Sequence, residues 1–283
     1  MPPERPRPPL GRRVAPVSGN SADGAFRALT LLDRDGPDPL PGQFYMAARA
    51  PVWRGRGGRP YLPRALSFSA VTPGRDGIEI EFLLDRVGPG TGDLGALDPG
   101  EECWIAGPFG RPFSPPSELT DRAAGAVLVG GGIGIAPLAP LRRSLAERGV
   151  PTRVLLGFRE PGAAGGVERL FGCEQVRIAY EAGSGSAARV TDLLELVLSG
   201  DDAGRSAVYS CGPPGMLEAV RRMWSDRDVQ VELALESPMA CGYGACFGCA
   251  VPRPDGGYLR LCIDGPVVRG DEIVTASAGE APA

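Results

Sequence analysis

The chain has 283 residues, with 30 basic against 34 acidic side chains for a net charge of −4, and it contains no histidine; every basic residue is arginine, since lysine is absent too. These absences exclude a Ser-His-Asp or Cys-His nucleophile, a histidine general base, a Cys₂His₂ zinc site, a lysine Schiff base and a Walker lysine. With those side chains missing, an enzymatic role requires a bound cofactor to carry the chemistry, and charge this evenly balanced, without long like-charge blocks, argues against a nucleic-acid partner.

No apolar run approaches the roughly 20 residues of a membrane span, and the N-terminal MPPERPRPPLGRR has no apolar stretch behind its arginines, so a cytoplasmic chain is expected. Residues 1–13 are rich in proline and arginine, lack apolar periodicity and are expected to be disordered. Residues 14–116 then read as short strands between Gly/Pro turns: FRALTLL, QFYMAA, ALSFSAV, IEIEFLL and ECWIAG. Alternation of this kind without a long helix predicts an antiparallel β-barrel domain. Within it, Arg64-Ala65-Leu66-Ser67 opens a strand, Gly90-Thr91 lies in a glycine-rich turn, and Gly107-Pro-Phe-Gly110 marks the exit. An arginine and hydroxyls beside open backbone amides would suit a diphosphate, while a surface arginine and ordinary turns explain the same residues.

After Ser114-Pro-Pro116 the pattern changes, and residues 117–228 alternate strand with helix: AVLVGG, PLAPLRRSLAER, TRVLLGF, a short helix near Val167–Phe171, QVRIAY, VTDLLELVLS, SAVYSC and MLEAVRRMWSD. This order predicts an α/β domain with a parallel sheet covered by helices on both faces. AVLVGGGIGIAPL is a strand, a glycine turn and a helix start, in which Gly130, Gly131, Gly132 and Gly134 would let the backbone approach a pyrophosphate. It is not the G-x-G-x-x-G fingerprint, and glycine turns after strands are common. A second strand ends at Cys211-Gly212-Pro213, where ligands bind in open α/β sheets; a helix-starting proline explains it equally well alone, and the two motifs together favour a nucleotide. Arg159 follows the second parallel strand, TRVLLGF, where it would favour a 2′-phosphate, but Glu160 beside it would repel one and bind a ribose hydroxyl, so NAD is preferred and NADP stays open.

The segment 229–283 is too short to bury a core unaided and carries four of the seven cysteines. Cys241, Cys246, Cys249 and Cys262 are spaced C-x₄-C-x₂-C-x₁₂-C, and the first three follow the plant-type [2Fe–2S] pattern. Gly242, Gly244 and Gly248 would let the loop turn its thiolates and N–H groups inward. A disulfide framework does not suit a chain of this kind, and structural zinc prefers paired C-x₂-C knuckles, of which only Cys246 and Cys249 make one. Cys103 and Cys173 read as packed thiols. The fold class is thus α+β and multi-domain: an antiparallel barrel, a parallel-sheet nucleotide domain and a small C-terminal cluster segment.

The order barrel with R-x-x-S, GGGIGIAPL, CGPPGM, ESPMACGYGACFGC and LCIDGPV, over about residues 14 to 275, resembles the family of electron-transfer subunits of class 1B dihydroorotate dehydrogenase, in the ferredoxin reductase superfamily. The resemblance implies FAD on Arg64, Ala65, Leu66, Ser67, Leu83, Leu84, Asp85, Gly90 and Thr91, and Cys211 positioned beside a nicotinamide. Two sites depart from the family pattern: Ala65 replaces a usual proline, and Leu84-Asp85 a usual aromatic-basic pair, with Arg86 the candidate for the displaced charge. It further implies that electrons pass from dihydroorotate through FMN on a separate catalytic subunit, commonly in a heterotetramer, to the cluster, FAD and NAD⁺ in pyrimidine biosynthesis. Tyr243 and Phe247 would then face the partner or, alternatively, pack inward. Two other readings stand beside this one: an NAD(P)H-dependent reductase subunit serving another partner, and a redox-inactive scaffold with a structural metal.

Overall fold

The computed structural model describes residues 11–50, 62–119, 125–172, 175–182, 189–199, 206–224 and 231–276. Six strands close the barrel: β1 (Arg12–Asp23), β2 (Phe26–Asp33), β3 (Phe44–Arg49), β4 (Arg64–Gly74), β5 (Gly77–Leu84) and β6 (Glu102–Phe109), in the spatial order β1-β2-β5-β4-β3-β6. Alternation sorts their side chains. Leu29, Leu31, Tyr45, Phe68, Ile80, Phe82 and Leu84 fill the interior, while Phe44, Met46 and Phe109 point outward into a different core.

Two sequence expectations change here. Arg12 and Arg13 belong to β1 and not to a disordered extension, because Arg13 reaches the nearly buried Asp33 as an ion pair and also donates to the Gly107 carbonyl at 2.9 Å; residues 1–10 lie outside the described residues. Gly90 and Thr91 are not in a turn but in the first turn of a short helix, α1 (Pro89–Gly95), which Pro89 starts and whose Leu94 packs into the barrel.

A short helix, α2 (Pro116–Leu119), leads into the second layer. Its elements are β7 (Gly125–Gly131), α3 (Leu138–Glu147), β8 (Thr152–Phe158), α4 (Val167–Phe171), β9 (Val176–Tyr180), α5 (Val190–Leu198), β10 (Ser206–Cys211), α6 (Pro214–Trp224) and β11 (Val231–Ala234). Val127 and Val129 pack toward α5 and α6, whereas Ala126 and Leu128 pack toward α3 and α4, so helices cover both faces as expected.

The C-terminal segment is not the separate unit that its position beyond residue 228 suggests. β11 pairs parallel with β10, and β14 (Val267–Arg269) adds antiparallel to β11, giving the sheet order β14-β11-β10-β7-β8-β9. Between them lie the cysteine loop and a two-stranded ribbon, β12 (Ala250–Pro252) and β13 (Tyr258–Arg260). Nor does this segment lack apolar support: Cys249, Val251, Leu259, Leu261 and Cys262 share one core with Phe44, Met46 and Phe109 of the barrel and with Leu233 and Val268 of the sheet. The Gly107-Pro-Phe-Gly110 exit is a docking surface for that segment, not an anion site. Arg111 donates its backbone N–H to the Gly265 carbonyl, and a Cβ on Gly110 would lie 2.5 Å from Pro266 Cδ.

Barrel and sheet are also joined on the opposite side. Asp23, ending β1, accepts from the Gly166 N–H at 2.8 Å and from Arg169 Nη2 at 2.7 Å, while Arg169 Nη1 reaches Glu81 of β5 at 2.8 Å. The exposed arginine contributes little by charge alone; the tight element is Gly165, whose Cβ would strike the Asp23 carbonyl. Gly165→Ala is therefore expected to cost about 1–3 kcal/mol through overpacking. Calorimetry should show a melting temperature lower by several degrees, and an unchanged value would mean that α4 does not sit on the barrel in solution.

Candidate functional site

The spatial order of the second sheet reverses between β7 and β10: β8 and β9 extend one way from β7, and β10 and β11 the other. Carboxyl ends of strands at such a reversal leave a crevice for a ligand. Here the Gly130–Gly134 turn and the Cys211-Gly212-Pro213 turn meet, with Gly130 in register with Cys211. A Cβ on Gly134 would stand 2.5 Å from the Cys211 carbonyl oxygen, and one on Gly131 2.8 Å from Pro213 Cδ. Gly130 faces Leu156, Leu138 and Ile135 and serves packing, not ligand approach. Gly132 differs from all three. Its φ is +54° and its missing side chain would meet open space, so its backbone lies free to a ligand at the start of the 3-10 turn Gly132–Ile135 that precedes α3.

Cys211 is 4% exposed, and burial, reinforced by the Glu236 carboxylate, pushes its thiol well above the ordinary range. A neutral, buried thiol can position a neighbouring ring but is no nucleophile. Glu236 is exposed at its surface, and the protein packed around its carboxyl pushes that group up by desolvation. Sequence reasoning passed over it; its place just after β11, at the carboxyl edge of the sheet, was the available signal. Arg159 and Glu160 are both exposed just beyond the carboxyl end of β8.

On the barrel, Arg64 crosses Gly90: a Cβ there would run into the guanidinium, and none of the ion pairs among the described residues involves Arg64. Thr91 exchanges hydrogen bonds with the Gly88 backbone at the mouth of the same helix. The structure thus brings Arg64, Gly90 and Thr91 together, an anion-attracting corner. Ala65 and Ser67 point to the outer face of β4, Ala65 exposed and Ser67 half-buried, while Leu66 points into the barrel. Leu83 packs against Val167 and Phe171, and Leu84 lies in the barrel core, so only their backbones are open to a ligand. Asp85 and Arg86 are exposed, with Arg86 laid over Gly95 and away from Gly90.

The four cysteine thiols meet in two pairs. Cys249 Sγ lies 3.3 Å from Cys262 Sγ, and Cys241 hydrogen-bonds with the Cys246 thiol. Burial works against ionisation of Cys241, but the N–H groups of Tyr243, Cys246 and Ala245 outweigh it and hold the thiol down at about 7. Burial and the adjoining Cys249 push Cys262 up. Four thiols on this loop and the strand end beside it, with backbone N–H groups aimed at the Cys241 sulfur, form a donor set that suits an iron–sulfur cluster. To wrap this way the loop holds Gly242 at φ +78° and Phe247 at +58°, whereas Gly248 has no such requirement. Tyr243 and Phe247 are 50% and 60% exposed and do not pack inward. Cys103 is buried and pushed up to about 12, as a packed thiol; Cys173 lies outside the described residues.

Residues 236–274 match the family described as the iron–sulfur cluster binding domain of dihydroorotate dehydrogenase B. The chain is 36% identical over 218 residues to the dihydroorotate dehydrogenase B (NAD(+)) electron transfer subunit of Bacillus caldolyticus, covering 76% of this chain and 81% of that one. The corresponding subunit of Listeria monocytogenes serovar 1/2a is 36% identical over 196 residues, with 68% and 74% covered. Among solved structures, an NADH-dependent reduced ferredoxin–NADP oxidoreductase superposes with a TM-score of 0.77 at 21% identity, covering 92% of this chain and 90% of that one. The flavohem-like FAD/NAD binding domain of a Vibrio cholerae nitric oxide dioxygenase gives 0.62 at 20% identity, covering 80% and 99%. These two likenesses establish the fold.

Proposed function

The chain belongs to the family of dihydroorotate dehydrogenase B electron-transfer subunits, and we propose that it passes electrons between a [2Fe–2S] cluster on Cys241, Cys246, Cys249 and Cys262, an FAD on the barrel, and NAD in the crevice between β7 and β10. The source is an FMN-containing catalytic subunit that oxidises dihydroorotate, joined to this chain in a heterotetramer, and the sink is NAD⁺. One observation carries this reading: the three candidate sites are contiguous. Gly242, next to Cys241, rests on Met46 of β3; Met46 stands opposite Ala65 on the neighbouring strand β4; and Met216, which packs against the same core as Met46, lies at Gly131 and Gly212 of the sheet crevice.

When bound, a flavin exchanges two electrons with nicotinamide and one at a time with an iron–sulfur centre, the conversion this sequence of sites needs. The chain's own residues supply placement. Arg64, laid across Gly90, holds a diphosphate through its charge and its guanidinium N–H groups. Gly132 admits the dinucleotide backbone, Gly212 lets the end of β10 lie against Gly131 and Met216, and Cys211, neutral and buried, sets the ring's position without reacting. Tyr243 and Phe247, exposed on the cysteine loop, are the apolar side chains that a partner subunit would cover.

Purified anaerobically with iron supplied, the protein should contain two irons, two labile sulfides and one FAD per chain, and should reduce artificial acceptors with NADH. Alone it should not oxidise dihydroorotate, because that step needs a positioned general base and no motif in this sequence places one beside an FMN site. Co-expressed with a candidate catalytic subunit it should form a heterotetramer that makes orotate and reduces NAD⁺. Stoichiometric zinc in place of iron would sink the cluster reading, and a stable complex with a different redox partner would sink the pairing.

A further inference from the structure

We propose that Met46 is the positioning residue that sets the separation between the cysteine loop and the flavin motif, and so the speed of electron transfer between them. This rests on the reading above, in which Cys241 is a cluster ligand and Arg64–Ser67 a flavin site.

Three observations meet at this side chain. First, alternation along β3 sends Tyr45 and Ala47 into the barrel and Phe44 and Met46 out of it, so Met46 leaves the barrel core and joins that of the cysteine segment, where it is 4% exposed. Second, Met46 stands directly opposite Ala65 on β4, as Phe44 stands opposite Ser67. Residues facing each other across an antiparallel pair share a face, with Cβ atoms about 5 Å apart. Ala65 is exposed while Met46 is covered, so the covered and open halves of one surface meet at this pair.

Third, what covers Met46 is Gly242. A Cβ there would lie 2.5 Å from Met46 Cγ and 3.0 Å from its Sδ, and Gly242 sits at φ +78° immediately after Cys241. The path from the Cys241 thiolate to the flavin motif therefore runs through the cysteine side chain and the peptide link to Gly242, then one van der Waals contact and one strand pair. The contact is the adjustable link, because it is fixed only by the volume of one flexible side chain. No substitution at Gly242 can tighten it; loss of side-chain volume at Met46 loosens it.

The test follows NADH-driven reduction of the loaded protein by stopped-flow, reading flavin bleaching and cluster bleaching in the same trace, with iron, sulfide and FAD content measured beside it. Because a misplacement of about 1 Å at a reacting pair can cost up to roughly a hundredfold, Met46→Ala should slow the cluster phase relative to the flavin phase at least about threefold. Met46→Leu, which conserves volume, should bring the ratio back to within about twofold of wild type. The cluster's midpoint potential, titrated by electron paramagnetic resonance, should stay where it was, separating a change of distance from a change of driving force. An unaltered phase ratio in Met46→Ala, with both cofactors in place, overturns the proposal; wild-type protein that carries no flavin or no iron overturns the underlying reading instead. Should Met46→Ala fail to fold, Gly242→Ala addresses the same contact from the loop. It should weaken cluster retention, and adding Met46→Ala should recover part of the loss. Strictly additive effects of the two substitutions would show that the residues do not act on each other and would overturn the proposal.

Discussion

Cys246→Ser is expected to abolish the iron–sulfur absorption while leaving FAD bound at one per chain. Cys246 pairs with Cys241, and removing one thiol from a pair leaves one iron with an incomplete set, since serine at neutral pH offers a poor ligand where a thiolate is needed. Of the four thiols Cys246 is the exposed one, so the change buries no unpartnered hydroxyl. Cys249→Ser, at a site 2% exposed in the shared core, would add about 1–3 kcal/mol of structural damage and blur the result. The rest of the segment should stay in place. Val251, Leu259 and Leu261 keep their packing against Phe44 and Phe109, and β14 keeps its ladder with β11. Flavin is expected to remain because Arg64 belongs to β4 and Gly90 and Thr91 to α1, elements of the barrel that the substitution does not touch. The measurements are the visible spectrum, iron and sulfide per chain, and FAD released on denaturation. Loss of FAD with iron retained would reverse the assignment of the two cofactors to their parts of the chain.

What the sequence disclosed and what it withheld follow a physical division. Strands such as FRALTLL and IEIEFLL are legible because alternation is local, and the glycine turn after β7 is legible because a positive φ at Gly132 and the tight approach at Gly134 demand glycine where they occur. The cysteine spacing is legible because a cluster imposes its own geometry on a short loop. Other features depend on partners far away in the chain. β14 belongs to the sheet only because Val267 and Val268 find Ala234 and Leu233, and nothing in Val-Val-Arg announces that pairing. Gly107-Pro-Phe-Gly110 has the appearance of an anion turn until Gly265 and Pro266 occupy it. Arg13 looks like the end of a polar tail until Asp33 is seen beside it. Met46 and Glu236 are ordinary letters whose significance comes from Gly242 and Cys211, which stand remote in sequence and adjacent in space. The alternation in β3 did show that Met46 and Tyr45 face opposite ways; which of the two surfaces would be covered, and by what, could not be read from the strand alone.

Gly132→Asp is expected to raise the Michaelis constant for NADH on the order of a hundredfold, with the cluster and FAD content unchanged. At this position an added Cβ meets no protein atom within 4 Å, so the effect is expected to fall on the ligand and not on the fold. Its φ of +54° costs any L-residue something, but aspartate and asparagine tolerate that region better than most. The carboxylate would then stand where the phosphates approach the amides of the 3-10 turn Gly132–Ile135, and like-charge juxtaposition at a binding surface costs several kcal/mol, each 1.4 kcal/mol being a factor of ten. Gly132→Asn isolates that charge. It has nearly the same shape and backbone preference, so it reports steric obstruction alone and should raise the constant only about tenfold or less. The screening of charge gives a second handle: raising ionic strength should narrow the gap between the aspartate and asparagine variants, since the site opens to solvent and exposed charges are shielded within about 10 Å at 0.1 M salt. Equal constants for both variants at low salt would place the phosphates away from Gly132, and a wild-type constant in the aspartate variant would place the dinucleotide outside the crevice between β7 and β10 altogether.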